Sequence, residues 1–458
     1  MFDRRGLIAG GAALALVGTG KAAPRLPRSL TDTLTARMAE DKVVGAALSV
    51  VRGGAIVAFW AHGLASIPFD VPVRQDTLFQ IGSVAKHVTA LAVLQLMEAG
   101  RVALDDPIGR HVKDLPQHWR RISIRNLLHQ TSGLPDYVDF LSDWDRRQPR
   151  NVVTFALGMM PLLFAPGEAW HYSNTNYLVL GWLIEDVSGQ SYADYVRLRL
   201  FAPARLPEAR ADAAQHPVAN RAEPYDATEG EVRHAVRMAD DVSAAADGGL
   251  LFSARDWAPW SRALAAPGLV SQGSLDAMFT PAILSTGREV PYGYGWFLGK
   301  TRGAPYHWHS GSVPGFVTQV TRLPARDLLA VLTINSTTGD GTLADVPMMA
   351  MEAIAPGSTY LSLPDGPEAT EPRRSRLVAM LTGGGRDADW IAPELAREFR
   401  AVAPHDPPAI YSPIAGIRLV ESYPAVGGTM ERYRVSAGNR DRYVLAGWTS
   451  DGQLFIIA

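Results

Sequence analysis

Cysteine is absent from this 458-residue chain. That excludes disulfides, thiolate metal sites and a cysteine nucleophile, and it leaves serine or histidine chemistry open. An excess of charge of either sign is also missing, since 46 acidic residues stand against 44 basic ones. A chain so balanced offers no basic face for nucleic acid or for an anionic membrane surface, and small neutral or zwitterionic partners fit it better. Long apolar runs are lacking too. The run Leu7 to Val17 falls short of the ~20 residues that a bilayer span takes, and no other candidate follows it. Arg4 and Arg5 precede that run, and Gly20-Lys21-Ala22-Ala23 closes it. Residues 1–23 therefore read as an export signal resembling the twin-arginine type, with an uncleaved anchor as the alternative. The expected location is periplasmic or extracellular, with no stable membrane span once the signal is removed.

The length exceeds that of one compact domain, so a large domain and a smaller one are expected. Val44 to Trp60 alternates in short apolar runs around Arg52-Gly53-Gly54, a hairpin pattern. From Ser83 the period changes: Val84, Val88, Leu91 and Leu94 recur at helical spacing and the run ends at Gly100. This predicts a buried helix starting at the serine. Helices are also expected through Ile124–Leu128 and Tyr177–Val187, and strands through Tyr292–Leu298 and Val313–Asn335. The fold class is mixed α/β, with a sheet built from both ends of a domain over residues 27–356. Residues 357–372, rich in proline, glycine and serine, read as a linker. Beyond them, residues 373–458 predict two short helices around Gly383-Gly384-Gly385 and then a meander of strands. That is a small α+β domain, similar in pattern to the nuclear-transport-factor-like fold.

Three local patterns carry chemistry. The first is Ser83-Val84-Ala85-Lys86. Residues three apart share a helix face, so the Lys86 amine can reach the Ser83 hydroxyl. A serine needs a base to become a nucleophile, and a lysine serves only if burial or positive neighbours lower its pKa. The helix start adds unpaired NH groups suited to an oxyanion. The second is Tyr172-Ser173-Asn174. A phenol beside an ammonium is pulled towards phenolate and can relay protons, while the Asn174 amide can donate to substrate or orient Lys86. The third is His309-Ser310-Gly311-Ser312. Gly311 lets the backbone approach a ligand, the NH of Ser312 can pair with that of Ser83, and His309 can donate to substrate or to Tyr172. His307 and His309 form a His-x-His pair, but no third ligand stands at useful spacing for zinc. Neither a metal nor an organic cofactor is expected.

Taken together, the order Ser-x-x-Lys, Tyr-x-Asn, His-x-Gly resembles the serine hydrolase family of class C β-lactamases, D,D-peptidases, D-aminopeptidases and related esterases. The stretches Leu127–Pro135, Asp247-Gly248-Gly249-Leu250 and Tyr292–Trp296 look typical of it, and the resemblance covers roughly Pro27 to Pro356. It implies a penicillin-binding-protein-like fold, an antiparallel sheet flanked by helices plus a helical lobe. By the same resemblance Ser83 is the nucleophile, Lys86 and Tyr172 share acid–base work, and Asn174 and His309 face substrate. The NH groups of Ser83 and Ser312 form the oxyanion hole, and Gly311 stays a substrate-binding candidate through its backbone. Many relatives carry lysine where this chain has His309, which attracts a carboxylate; a histidine is charged only in part at neutral pH. The resemblance therefore implies an ester or amide hydrolase first, a D,D-carboxypeptidase or D-aminopeptidase of cell-wall peptides second, a β-lactamase third, and a silent muropeptide-binding protein last. For the C-terminal piece, dimerisation, cover of the active-site mouth and ligand binding all remain open.

Overall fold

Gly53 and Gly54 both take positive φ, 59° and 66°. Two such residues make the tight turn that joins antiparallel strands without splaying them. They link β1 (Gly45–Arg52) to β2 (Ala55–Ser66), and β2 pairs in turn with the short β3 (Val71–Pro72). The rest of this sheet comes from far along the chain: β4 (Phe297–Thr301), β5 (Ala304–Val313), β6 (Phe316–Leu323) and β7 (Leu328–Ile334). The sheet has seven strands in the order β4-β5-β6-β7-β1-β2-β3, and every neighbouring pair is antiparallel. The computed structural model describes residues 26–140, 150–212, 217–228, 231–235, 246–337, 344–386, 388–401, 413–438 and 440–457. The expected export signal, residues 1–23, lies outside the described residues. Among those residues no helix is long and apolar enough to cross a membrane.

Strand β7 shows why the sheet is central. Its run Leu-Leu-Ala-Val-Leu-Thr-Ile is buried throughout, as a strand covered on both faces must be. Leu329 and Val331 join the core of the helical lobe, whereas Leu328, Ala330, Leu332 and Ile334 pack with α1 (Arg28–Glu40) and a late helix at Val346–Ile354. The lobe is centred on α2 (Lys86–Glu98), which is buried nearly all round from Lys86 to Leu96; a helix apolar on every side belongs inside a core. Beside it in the same core lies α3 (Asn174–Ser188), ended by Gly189 in the left-handed conformation.

Two sequence expectations need correction. The helix does not begin at Ser83. A 3-10 turn over Gly82–Ala85 comes first and α2 proper starts at Lys86, because Gly82 enters with φ of 53°, outside the helical region. Nor is Tyr292–Leu298 one strand. Tyr292 bridges back to Phe297 across a turn in which Gly295 has φ of 75°, and the strand begins only at Phe297.

The C-terminal residues form α4 (Arg373–Leu381), α5 (Pro393–Ala401) and a four-stranded antiparallel meander, β8 (Ile414–Ala425), β9 (Gly428–Ala437), β10 (Arg440–Trp448) and β11 (Leu454–Ile457). They enclose a core of their own around Leu377, Ile417, Val435 and Trp448. The stretch between the two cores is packed, not free: Tyr360 and Ala369 are buried, and Gly366 donates its NH to Leu419.

Candidate active site

The 3-10 turn before α2 leaves Ser83 half-buried and accessible, while Lys86, one turn on, is fully buried. The Lys86 Nζ lies 3.0 Å from the Ser83 Oγ, 2.7 Å from the Asn174 Oδ1 and 2.9 Å from the carbonyl oxygen of Asp247. Three acceptors match the three N–H bonds of an ammonium. Burial lowers the Lys86 pKa to about 8, against the opposing pull of the Asp247 and Asp136 carboxylates. At pH 7 about one lysine in ten is then neutral and able to accept a proton.

Asn174 opens α3, and its amide is oriented by two partners. Its Oδ1 accepts from Lys86, and its Nδ2 donates to the Asp136 Oδ2 at 2.9 Å. Of the two uses expected of Asn174, the geometry brings out orientation of Lys86. Asp136 and Asp247 had no role in the sequence reading, although they stand beside or within two of the stretches that carried the resemblance. Burial raises both carboxyls, that of Asp247 to about 6. The Tyr137 hydroxyl donates to the Asp247 Oδ2 at 2.7 Å. Spacing along the chain gives no sign of which acid faces Lys86, since the two are brought together from segments 111 positions apart.

Tyr172 departs from expectation. The Lys86 ammonium lies over its ring, 4.9 Å from the centroid, not at the phenol oxygen. Burial, aided by Tyr292, pushes the Tyr172 phenol well above the usual range, against a smaller pull from the Ser83 hydroxyl. The hydroxyl is shielded and makes no full hydrogen bond among the described residues, though it is near enough to Ser83 to feel it. A phenolate here would sit among the rings of Trp170, Tyr292 and Phe297, which solvate a charge poorly. The resting residue is a neutral phenol.

His309, on β5, is buried, and burial together with Lys86 lowers its pKa to about 3. At neutral pH this favours the uncharged ring over the partial charge expected. Its Nδ1 lies 2.5 Å from the Ser310 carbonyl oxygen, which can only accept, so Nδ1 carries the proton. Nε2 is left to accept from the Tyr292 hydroxyl at 3.3 Å. The donor expected to face substrate or Tyr172 is thus committed to the backbone. His307 stacks on Phe279 at 4.2 Å, and among the described residues no group of three or more His, Asp or Glu side chains is arranged to hold a metal ion.

Gly311, expected to let the backbone approach a ligand, here lets it approach the serine turn. A Cβ there would lie 2.0 Å from the Ile81 carbonyl oxygen and 3.0 Å from the Ser83 nitrogen. Gly82 answers it, for a Cβ on that residue would lie 2.8 Å from the Ser312 nitrogen. Two glycines back to back let β5 and the serine turn close on each other, which brings the backbone NH groups of Ser83 and Ser312 to one seam.

The family model for Beta-lactamase matches residues 30–351. Penicillin-binding protein 4* of Bacillus subtilis is 29% identical over 317 residues, 64% of this chain and 69% of that protein. Protein flp of Staphylococcus aureus is 33% identical over 159 residues, 34% of this chain and only 32% of its own length. Among solved structures, the D-amino acid amidase of Ochrobactrum anthropi superposes with a TM-score of 0.61 at 26% identity, covering 71% of this chain and 98% of that one. The octameric penicillin-binding protein homologue of Pyrococcus abyssi gives a TM-score of 0.62 over 94% of this chain and 99% of its own, at 22% identity, which speaks for the fold including its C-terminal sheet. With the family model matched over residues 30–351 and the catalytic part superposing on the solved amidase, the protein belongs to the beta-lactamase family and is a penicillin-binding-protein-like serine hydrolase.

Proposed function

We propose that this hydrolase cleaves esters or amides through an acyl-enzyme on Ser83. The observation that carries the reading is the buried Lys86 amine held 3.0 Å from an accessible Ser83 hydroxyl. In its neutral form Lys86 takes the Ser83 proton as the Oγ bonds to the substrate carbonyl carbon. The NH groups of Ser83 and Ser312 receive the negative charge on the carbonyl oxygen. The Lys86 ammonium returns its proton to the leaving alcohol or amine, while the neutral Tyr172 phenol, whose hydroxyl stands near Ser83, hydrogen-bonds to that atom as it departs. Water then attacks the acyl carbonyl, its proton goes to Lys86, Ser83 is regenerated and the acid departs.

A neutral His309 supplies no cation for a substrate carboxylate, which supports esters and amides over substrates with a free C-terminal carboxylate. The likeness to a D-amino acid amidase supports amino acid amides within that class. Cell-wall peptides rank second, resting on the export signal read in the sequence. The test is hydrolysis of an activated short-chain ester by the mature protein, with Ser83→Ala prepared in parallel, followed by D-amino amides, cell-wall peptides and β-lactams. Turnover and covalent labelling are expected to vanish in Ser83→Ala while the fold persists. Turnover at the wild-type rate in that variant would overturn the assignment.

A further inference from the structure

The C-terminal sheet is fastened to one segment of the catalytic part, and that segment carries the wall of the candidate site. On β9, Arg432 is buried; its Nε donates to Glu421 at 2.8 Å, and its Nη2 donates to the Lys300 carbonyl at 3.2 Å and the Tyr306 hydroxyl at 3.0 Å. The NH of Arg302 donates to Glu421 at 2.9 Å. A second fastening joins Arg288 to Glu394 at 3.3 Å, with the guanidinium over the Phe455 ring. Between these two points along the chain lie Tyr292, whose hydroxyl meets His309, and Phe297, whose ring is parallel to that of Tyr172 at 6.5 Å.

At that place one side chain from the C-terminal sheet enters the cluster. Ile456, on β11, packs against the buried cluster of Ala282, Leu284, Val290 and Tyr292, as Trp170, Tyr172 and Phe297 also do. It also touches the small core of Met430, Leu445 and Phe455, so it is shared by both parts of the molecule. A cavity of about 500 Å³ adjoins this joint, lined among others by Phe279, Pro291, Leu298, Tyr423 and Phe455. The cluster on which the aromatic wall beside Tyr172 rests is therefore packed in part by the C-terminal sheet.

We infer that Ile456 is a specificity-determining residue, setting through the Tyr292–Phe297 wall the size of acyl group accepted beside Tyr172, so that the C-terminal sheet belongs to the site. This rests on the proposal that Ser83 is acylated. The test compares kcat/KM for p-nitrophenyl hexanoate and p-nitrophenyl acetate in wild type, Ile456→Ala and Ile456→Phe. The ratio of the two is independent of the active fraction of a preparation, so a partly folded variant still reports. Removing three carbons from a wall of this kind should raise the hexanoate-to-acetate ratio by about tenfold, and Phe should lower it. A ratio within twofold of wild type in both variants overturns the inference. Ser83→Ala on the same two esters separates the failures. If turnover depends on Ser83 and the ratio does not move, only the role of Ile456 falls; if turnover survives without Ser83, both readings fall.

Discussion

The proton inventory of the candidate site is set by four side chains around one amine. Lys86 must be neutral to take the Ser83 proton, and its pKa, lowered by burial, stands at about 8 because the Asp247 and Asp136 carboxylates hold it up. Acylation should then rise about tenfold per pH unit below that value and level off above it. Tyr172, raised well above 10, and His309, lowered to about 3, do not change charge in this range. Asp247, at about 6, is mostly ionised where Lys86 titrates. Asp247→Asn removes a negative neighbour from the ammonium, so the midpoint should move to lower pH, since a lysine without its counter-charge loses its proton more easily. Burst kinetics with an activated ester from pH 6 to 10 measure this. A midpoint that stays in place or moves up would remove Asp247 from the control of Lys86.

At the scale of elements, the decisive contact is strand β5 against the serine turn. Gly311→Ala places a methyl group 2.0 Å from the Ile81 carbonyl oxygen, a distance only backbone movement can relieve. The seam must open, and the NH of Ser312 leaves the NH of Ser83. Loss of one oxyanion donor lowers kcat by about 10² to 10³, and a fall of that size is expected. Gly303→Ala is the control on the same hairpin: its φ is 78° but a Cβ there meets nothing within 4 Å. It should reduce stability by about 1–2 kcal/mol for the left-handed backbone while kcat stays near wild type. Equal kcat in the two variants would mean that close approach at Gly311 has no part in the reaction. The seam also marks where the sequence was and was not legible. Periodicity placed α2 and the β1–β2 hairpin, and motif order placed Ser83, Lys86 and Asn174 together, because each is a local pattern. Asp136 carried no such sign, and Asp247 and Tyr292 stood in stretches typical of the family without a role that the stretches reveal. Their roles come from segments folded against one another, as do the 3-10 turn at Gly82 and the neutral state of His309, whose burial no spacing reveals.

Over the whole molecule, the question is whether two cores act as one. Each has its own apolar cluster, so either can in principle unfold alone. Arg432 is the main clasp between them: its side chain is 4% exposed and its partner Glu421 10%, and its guanidinium stacks 4.1 Å from the Tyr360 ring. Removing one member of a buried ion pair strands the other and costs about 3–5 kcal/mol. Glu421 and Arg432 face each other on β8 and β9, so that loss falls on the C-terminal sheet, and Arg432→Ala also frees the Lys300 carbonyl and the Tyr306 hydroxyl at the joint. Amide hydrogen exchange should show protection falling across residues 414–457 while β7 at the centre of the large sheet keeps its own. Replacing both partners, Arg432→Met with Glu421→Leu, leaves no buried charge and should recover part of the loss. If protection in β7 falls as far as that in β8–β11, the two sheets unfold as one unit and Arg432 supports the whole fold; if neither falls, the apolar contacts around Ile456 and Phe455 hold the joint without it.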